Sequence, residues 1–181
     1  ETAVVPDGIS VVKAMNLLGL PAKERITGVD LADKLLRRAG EQGKSVYLLG
    51  AKEEVVSALA QKLKAQYPQM EVRYKNGYSK DKDADFRDIE AFQPDLVLVA
   101  LGVPAQEKLI ARHLGNFSKG VFIGVGGSFD VLSGSKRRAP ALFVKTNTEW
   151  LYRILREPSR LGRFYRNNIK FLGEVRKEAK G

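Results

Sequence analysis

Apolar positions along the chain follow two rhythms. In one, short runs of consecutive apolar residues are bounded by Gly, Pro or Asp; in the other, apolar residues recur every three or four positions. The first predicts strands at Ser45–Leu49, Asp95–Leu101 and Gly120–Ile123, with Ala3–Val5 as a strand end closed by Pro6-Asp7-Gly8, and strict alternation of apolar and polar residues adds a strand at Met70–Tyr74. The second predicts helices at Ile9–Leu18, Asp30–Ala39, Glu53–Gln66, Asp85–Phe92, Ala105–Leu114 and Asn147–Arg156. Strand and helix alternate, and the strands are apolar on both faces. That combination predicts an α/β fold: a Rossmann-like, mostly parallel sheet with helices on both faces. Ligands of such sheets bind beyond the carboxyl ends of the strands. Chemistry is therefore sought at Asp7-Gly8, Gly50, Gly102–Gln106 and Gly124–Asp130.

The last segment has a different pattern. Pro158 suits the first turn of a new helix. From Ser159 to Lys177, at 100° per residue, Leu161, Phe164, Tyr165, Ile169, Leu172 and Val175 share one face, and Arg160, Arg163, Arg166, Lys170 and Lys177 the other. Such a basic amphipathic helix suits an anionic membrane surface. It equally suits packing on its own domain with a solvated basic side.

Charge sharpens this division. The 181 residues carry a formal net charge of +10, and residues 134–181 hold 13 Lys/Arg against 4 Glu, almost the whole excess. The pattern predicts an α/β core over residues 1–146 and a basic, helical C-terminal appendage over 147–181. With 44% hydrophobic and 29% charged residues the chain is globular in composition. The absence of Cys excludes disulfides and thiolate metal sites, and a single His, His113, argues against a His-rich metal centre and for a structural role. No apolar run approaches the length of a membrane-spanning helix. The chain opens on Glu1-Thr-Ala-Val-Val-Pro, as if inside a strand, so an upstream segment is expected.

Four motifs lie at predicted strand ends or in basic stretches. Asp7 in Pro6-Asp7-Gly8 is either a general base toward a hydroxyl or part of a plain turn. Gly102-Val-Pro-Ala-Gln106 leads into a helix whose free N–H groups suit phosphate, with Gln106 placed to hydrogen-bond a sugar or base; the plain alternative is a strand-to-helix connection. Gly124-Val-Gly126-Gly127-Ser128 matches neither dinucleotide nor P-loop spacing, but admits close backbone approach to a ligand. Lys136-Arg-Arg138 reads either as a phosphate clamp or, as is usual for such runs, as a solvated loop, whereas the density of Arg153, Arg156, Arg160 and Arg163 reads as a diphosphate site in preference to a solvated face.

Taken in order, several segments resemble the WecG/TagA/CpsF glycosyltransferase family. They are Val5-Pro-Asp-Gly-Ile-Ser-Val-Val12, Glu24-Arg-Ile-Thr-Gly-Val-Asp-Leu31, Val46-Tyr-Leu-Leu-Gly50, Asn76-Gly-Tyr78, Leu98-Val-Ala-Leu-Gly-Val-Pro-Ala-Gln-Glu-Lys108, Gly124-Val-Gly-Gly-Ser-Phe-Asp130, Lys136-Arg-Arg-Ala-Pro140, Glu149-Trp-Leu-Tyr-Arg153 and Glu157-Pro-Ser-Arg160. The resemblance implies transfer of N-acetylmannosamine from a UDP-sugar to the 4-hydroxyl of polyprenyl-diphosphate-linked N-acetylglucosamine. The outcome is inversion and a β-1,4 linkage, in synthesis of wall teichoic acid or a related envelope polymer. It further implies Asp7 as catalytic base, Arg25 and Gln106 in the pocket with Gly102, Gly126 and Gly127 lining it, and Arg153, Arg160 and Arg163 closing over the leaving diphosphate. Neither a metal nor another cofactor is expected, since no Asp-x-Asp donor motif is present (Asp81-Lys-Asp83 sits in a polar loop) and arginines supply the charge.

The family also implies peripheral association with the cytoplasmic face of the bacterial plasma membrane, through the appendage, and homo-oligomers assembled through the core. One more strand–helix unit is expected upstream. The usual Pro-Lys-Gln is Pro104-Ala105-Gln106 here, and Asn76 and Ser79 replace common His and Phe. The alternatives are a donor carrying the uronic acid, a UDP-sugar-binding module without catalysis, and a nucleic-acid binder. The last would show salt-steep, sequence-independent affinity, and the chain carries no known nucleic-acid motif, so no nucleic-acid partner is expected.

Overall fold

The computed structural model describes residues 5–20 and 25–179. Among them two compact units form by contact. One is Gly28–Arg137; the other joins the described residues up to Thr27 with those from Arg138 onward. The first helix among the described residues is α1 (Ile9–Leu17), in the second unit. Of the strand end expected at Ala3–Val5, the first two residues lie outside the described ones, and Val5 is not in a strand.

The unit Gly28–Arg137 is the expected α/β sheet. Its elements run α2 (Gly28–Glu41), β1 (Ser45–Gly50), α3 (Glu53–Gln66), β2 (Glu71–Lys75), α4 (Lys82–Phe92), β3 (Leu96–Ala100), α5 (Ala105–His113), β4 (Val121–Gly124) and α6 (Ser128–Leu132). The four strands are all parallel, in the order β2-β1-β3-β4. Val46 aligns with Val72 on one side and Leu96 on the other, and Leu96 aligns with Val121.

Alternation along each strand divides the core into two layers. Val46, Leu48, Val72, Leu96 and Leu98 pack with Leu36 of α2, Leu59 and Leu63 of α3, and Phe129 of α6. Tyr47, Leu49, Val97 and Val99 pack on the opposite face with Phe86 and Ile89 of α4 and Leu109 of α5. Burial on both faces is the reason β1 and β3 read as unbroken apolar runs, whereas the edge strand β2 buries Val72 alone and alternates. From β1 the chain crosses outward to β2 and returns to β3 on the other side of β1. The carboxyl ends of β1 and β3 thus flank the point where strand order reverses, the place where open α/β sheets hold ligands.

Helix α4 begins three residues before its expected start, because the Asp81 carboxylate caps it, accepting from the Ala84 N–H at 2.8 Å. Helix α6 and helix α7 (Ala141–Lys145) were not legible in the periodicity, since five residues are too few to display one.

The second unit is helical where described. It contains α1, α7, α8 (Glu149–Arg156), a single 3₁₀ turn (Pro158–Arg160), α9 (Leu161–Phe164), a π-helical turn (Tyr165–Lys170) and α10 (Phe171–Glu178). The uninterrupted helix expected over Ser159–Lys177 is therefore corrected to a helical run whose pitch changes three times. A π turn closes i→i+5 bonds and winds more residues per turn, so positions aligned at 100° per residue do not stay on one face. Val175 is buried, with α10 packed on α1, whereas Leu161 and Tyr165 are 58% and 62% exposed. Ser10 of α1, itself buried, donates to Asn168 Oδ1 in the π turn at 2.7 Å.

Candidate functional site

The strand ends of the sheet unit meet at the β1/β3 reversal. Gly50 closes β1 with φ +125°, and a Cβ there would run into the Ala100 carbonyl oxygen of β3. Only glycine lets the two strands approach this closely at their ends. The next residue, Ala51, has φ +58°, left-handed for a residue that carries a Cβ. Its N–H donates to Ala100 O at 3.2 Å and its carbonyl accepts from the Gly77 N–H at 2.8 Å, so the loop after β2 joins the same place. Asn76 braces that loop: its Nδ2 donates to Glu53 Oε2 at 2.8 Å and its Oδ1 accepts from the Tyr78 N–H at 2.9 Å. Tyr78 stands 71% exposed beside it. Asn76-Gly-Tyr78 contributed to the family resemblance, yet no pattern in the sequence assigned it to the strand ends; the crossover returning it to β1 is tertiary.

Gln106 is buried in the first turn of α5, 2% exposed. Its Oε1 accepts from the Gly102 N–H at 3.2 Å and the Gly126 N–H at 3.1 Å, and its Nε2 donates to Glu107 Oε1 at 2.8 Å. The side chain thereby ties the loop after β3 to the loop after β4. Gly124 leaves the room this needs, since a Cβ on it would strike the Gln106 amide. Three residues expected at the pocket, Gly102, Gln106 and Gly126, are brought together, with the Gln106 carbonyl engaged by main-chain N–H groups. Gly127 is exposed beside them and precedes α6.

The other unit gathers Asp7, Arg25, Arg138 and Glu149. Arg25 Nε donates to the main-chain carbonyl of Asp7 at 2.6 Å, and its Nη2 donates to Glu149 Oε2 at 2.9 Å. Arg138 Nε donates to the other carboxylate oxygen at 3.5 Å. Glu149 opens α8 and is 3% exposed, its burial offset by the two guanidinium groups and by the positive end of the helix. Asp7 stands exposed in the segment before α1. Sequence reasoning passed over Glu149 as a site residue. The available signal was that it is the lone acid between Gly134 and Arg156, a stretch otherwise rich in Lys and Arg.

Lys136, from the basic run, pairs with Asp130 at 3.4 Å. The side chains of Arg153, Arg160 and Arg163 lie outside the described ones. The carboxylates of Asp81-Lys-Asp83 are both occupied: Asp81 caps α4, and Asp83 accepts from Arg112 at 3.0 Å and contacts His113 Nε2 at 2.6 Å. The His113 hydrogen bond, with Arg112 behind it, holds the Asp83 carboxyl below its usual range. His113 stacks on buried Phe86, ring centroids 4.8 Å apart, which fits its expected structural role.

Comparison with known proteins agrees with the resemblance read from the sequence. A profile of the glycosyl transferase WecG/TagA/CpsF family matches residues 1–181. A Bacillus spizizenii protein named N-acetylglucosaminyldiphosphoundecaprenol N-acetyl-beta-D-mannosaminyltransferase is 41% identical over 158 residues, 87% of this chain and 62% of that protein. Proteins of the same name from Bacillus subtilis and Staphylococcus aureus are 40% identical over 158 residues and 41% over 161, covering 87% and 88% of this chain and 62% and 63% of their own. The chain thus spans about three fifths of the length of these curated relatives.

Proposed function

The chain belongs to the WecG/TagA/CpsF glycosyl transferase family, and we propose that it moves N-acetylmannosamine from a UDP donor to the 4-hydroxyl of polyprenyl-diphosphate-linked N-acetylglucosamine. The observation that carries this reading is the 41% identity to proteins named for the mannosaminyl transfer to that lipid-linked acceptor. The described residues supply parts that such chemistry needs. Asp7 offers an exposed carboxylate on a segment whose main chain is held by Arg25. In the reaction, the Asp7 carboxylate takes the proton of the acceptor 4-hydroxyl as its oxygen bonds to the anomeric carbon. The bond from that carbon to the UDP oxygen breaks on the opposite face, its electron pair leaving with the diphosphate, and the configuration inverts. Arginines supply the positive charge that the leaving group needs. Arg25 belongs to this set, and so do Arg153, Arg160 and Arg163. No metal takes part in the proposed step, so EDTA leaves the rate unchanged.

The lipid tail of the proposed acceptor supports a peripheral protein at a membrane, and the proposal puts it on the cytoplasmic face. No helix among the described residues is long and apolar enough to cross one. Residues 147–181 are proposed as the element that closes the site and meets the bilayer, supported by their basic excess and by exposed Leu155, Leu161 and Tyr165. Homo-oligomers formed through the core complete the proposal.

The test is UDP release from UDP-N-acetylmannosamine, with and without a short-chain polyprenyl-diphosphate-N-acetylglucosamine analogue. Acceptor-dependent release supports the reading. Release only from the uronic acid donor replaces the substrate. UDP binding without release from any donor leaves a binding module in its place.

A further inference from the structure

We propose that Glu149 is a positioning residue for the transfer: its buried carboxylate fixes the Arg25 guanidinium, and through it the main chain of Asp7. The inference rests on the reading of Asp7 as base. Three observations carry it. Glu149 is almost wholly buried, and both its oxygens face guanidinium groups, Oε2 that of Arg25 at 2.9 Å and Oε1 that of Arg138 at 3.5 Å. Arg25 is not a simple ion-pair partner, because its Nε donates to the Asp7 carbonyl at 2.6 Å while Nη2 is held by Glu149. Finally, Glu149 starts α8, the helix that carries Arg153 one turn further on.

A guanidinium is a rigid plane with donors at fixed angles, so fixing one nitrogen orients the others. The path from Glu149 to the Asp7 main chain therefore contains a single rigid group. A carboxylate placed only for stability would have no need to hold an arginine that in turn holds the main chain of the candidate base. The contact also joins two roles, since the start of the helix bearing a leaving-group arginine is tied to the segment that takes the proton.

The charge makes the prediction specific. Glu149→Gln keeps the size but leaves Arg25 and Arg138 without their counter-charge. An anionic donor then binds at least as well, while the base loses its placement. Measured on the full chain, kcat for acceptor-dependent UDP release falls about 10- to 100-fold, and donor KM stays level or drops. Combining Glu149→Gln with Arg25→Ala costs no more than Arg25→Ala alone, because both act through one contact.

An unchanged kcat, a rise in KM with kcat kept, or losses that multiply would each overturn the proposal. If Glu149→Gln does not fold, Arg25→Lys decides the matter. A lysine keeps the charge but lacks the fork, so kcat falls about 10-fold or more, short of the loss in Arg25→Ala, with the melting temperature unchanged; a parental rate overturns the proposal. Failure of the underlying reading looks different: Asp7→Asn at the parental rate, or a parent chain silent with every donor, removes the base assignment, and this inference with it.

Discussion

At the scale of single residues, the side chains that matter most here hold main chain. Gln106 accepts from two loop N–H groups, Arg25 donates to the Asp7 carbonyl, and Asn76 braces the loop that reaches Ala51. Each is a polar side chain fixing the geometry of a loop at or beside a candidate site, which is what pre-organisation requires. Asp7 is the exception, its carboxylate exposed and its main chain held. Asp7→Asn keeps the size and removes the proton acceptor. We expect a loss of kcat of at least about 100-fold with UDP affinity within threefold, read by UDP release and calorimetry. Gly124→Ala acts through a neighbour. Its Cβ displaces the buried Gln106 amide, orphaning the Gly102 and Gly126 N–H groups. The cost is about 1–3 kcal/mol, seen as a lowered melting temperature, and truncation of Gln106 to Ala in the same chain should recover part of the steric share.

At the scale of elements, the sheet is pinned at both ends of its two central strands. At the carboxyl ends Gly50 packs on Ala100. At the amino ends Asp95 Oδ2 accepts from the Ser45 N–H at 3.0 Å and the Ser45 hydroxyl at 2.9 Å, and Lys119 adds an ion pair at 3.2 Å. The Ser45 main-chain N–H is the largest cause, with its hydroxyl and Lys119 adding to it, of a carboxyl lowered to about 2. The unfolded carboxyl titrates near 3.9. A group whose folded value is depressed stabilises fully above its unfolded value and loses that contribution as pH falls through the folded one. Asp95→Asn should therefore lower the melting temperature at pH 7, by about 1–2 kcal/mol of stability, and the gap to the parent should close as pH drops from about 4 to 2. A gap independent of pH would remove the carboxylate as its source. Gly50→Ala combines a left-handed φ with a clash against backbone, and a loss above about 3 kcal/mol is expected in denaturant unfolding.

At the scale of the whole molecule, both apolar core layers lie within Gly28–Arg137. The other unit buries little apolar surface among its described residues: Ala14 and Val175, with polar Ser10, Thr27 and Glu149. An excised segment of residues 28–137 should unfold cooperatively by circular dichroism, and a broad, featureless melt would show that it needs the rest of the chain. The basic excess makes a separate prediction. Binding to anionic vesicles should be lost on deleting residues 150–181 and should weaken steeply with salt, because surface attraction is screened within a Debye length. Salt-independent binding would assign the contact to apolar insertion instead.

The sequence by itself determined the α/β class, the positions of all four strands of the sheet unit within a residue or two, and the family. Those properties follow from local periodicity and from residue order, both written along the chain. It also placed Gly102, Gln106 and Gly126 near strand ends, because in a parallel sheet strand ends are where loops begin. It did not place Asn76-Gly-Tyr78 beside Ala51, find Glu149 between Arg25 and Arg138, or foresee the π turn that redirects the face of the C-terminal helical run. Those depend on contacts between residues 11 to 124 positions apart, or on a change of pitch that a fixed angle per residue cannot express. Tertiary structure alone decided them, because a buried charge is stabilised only by the partners that folding brings to it.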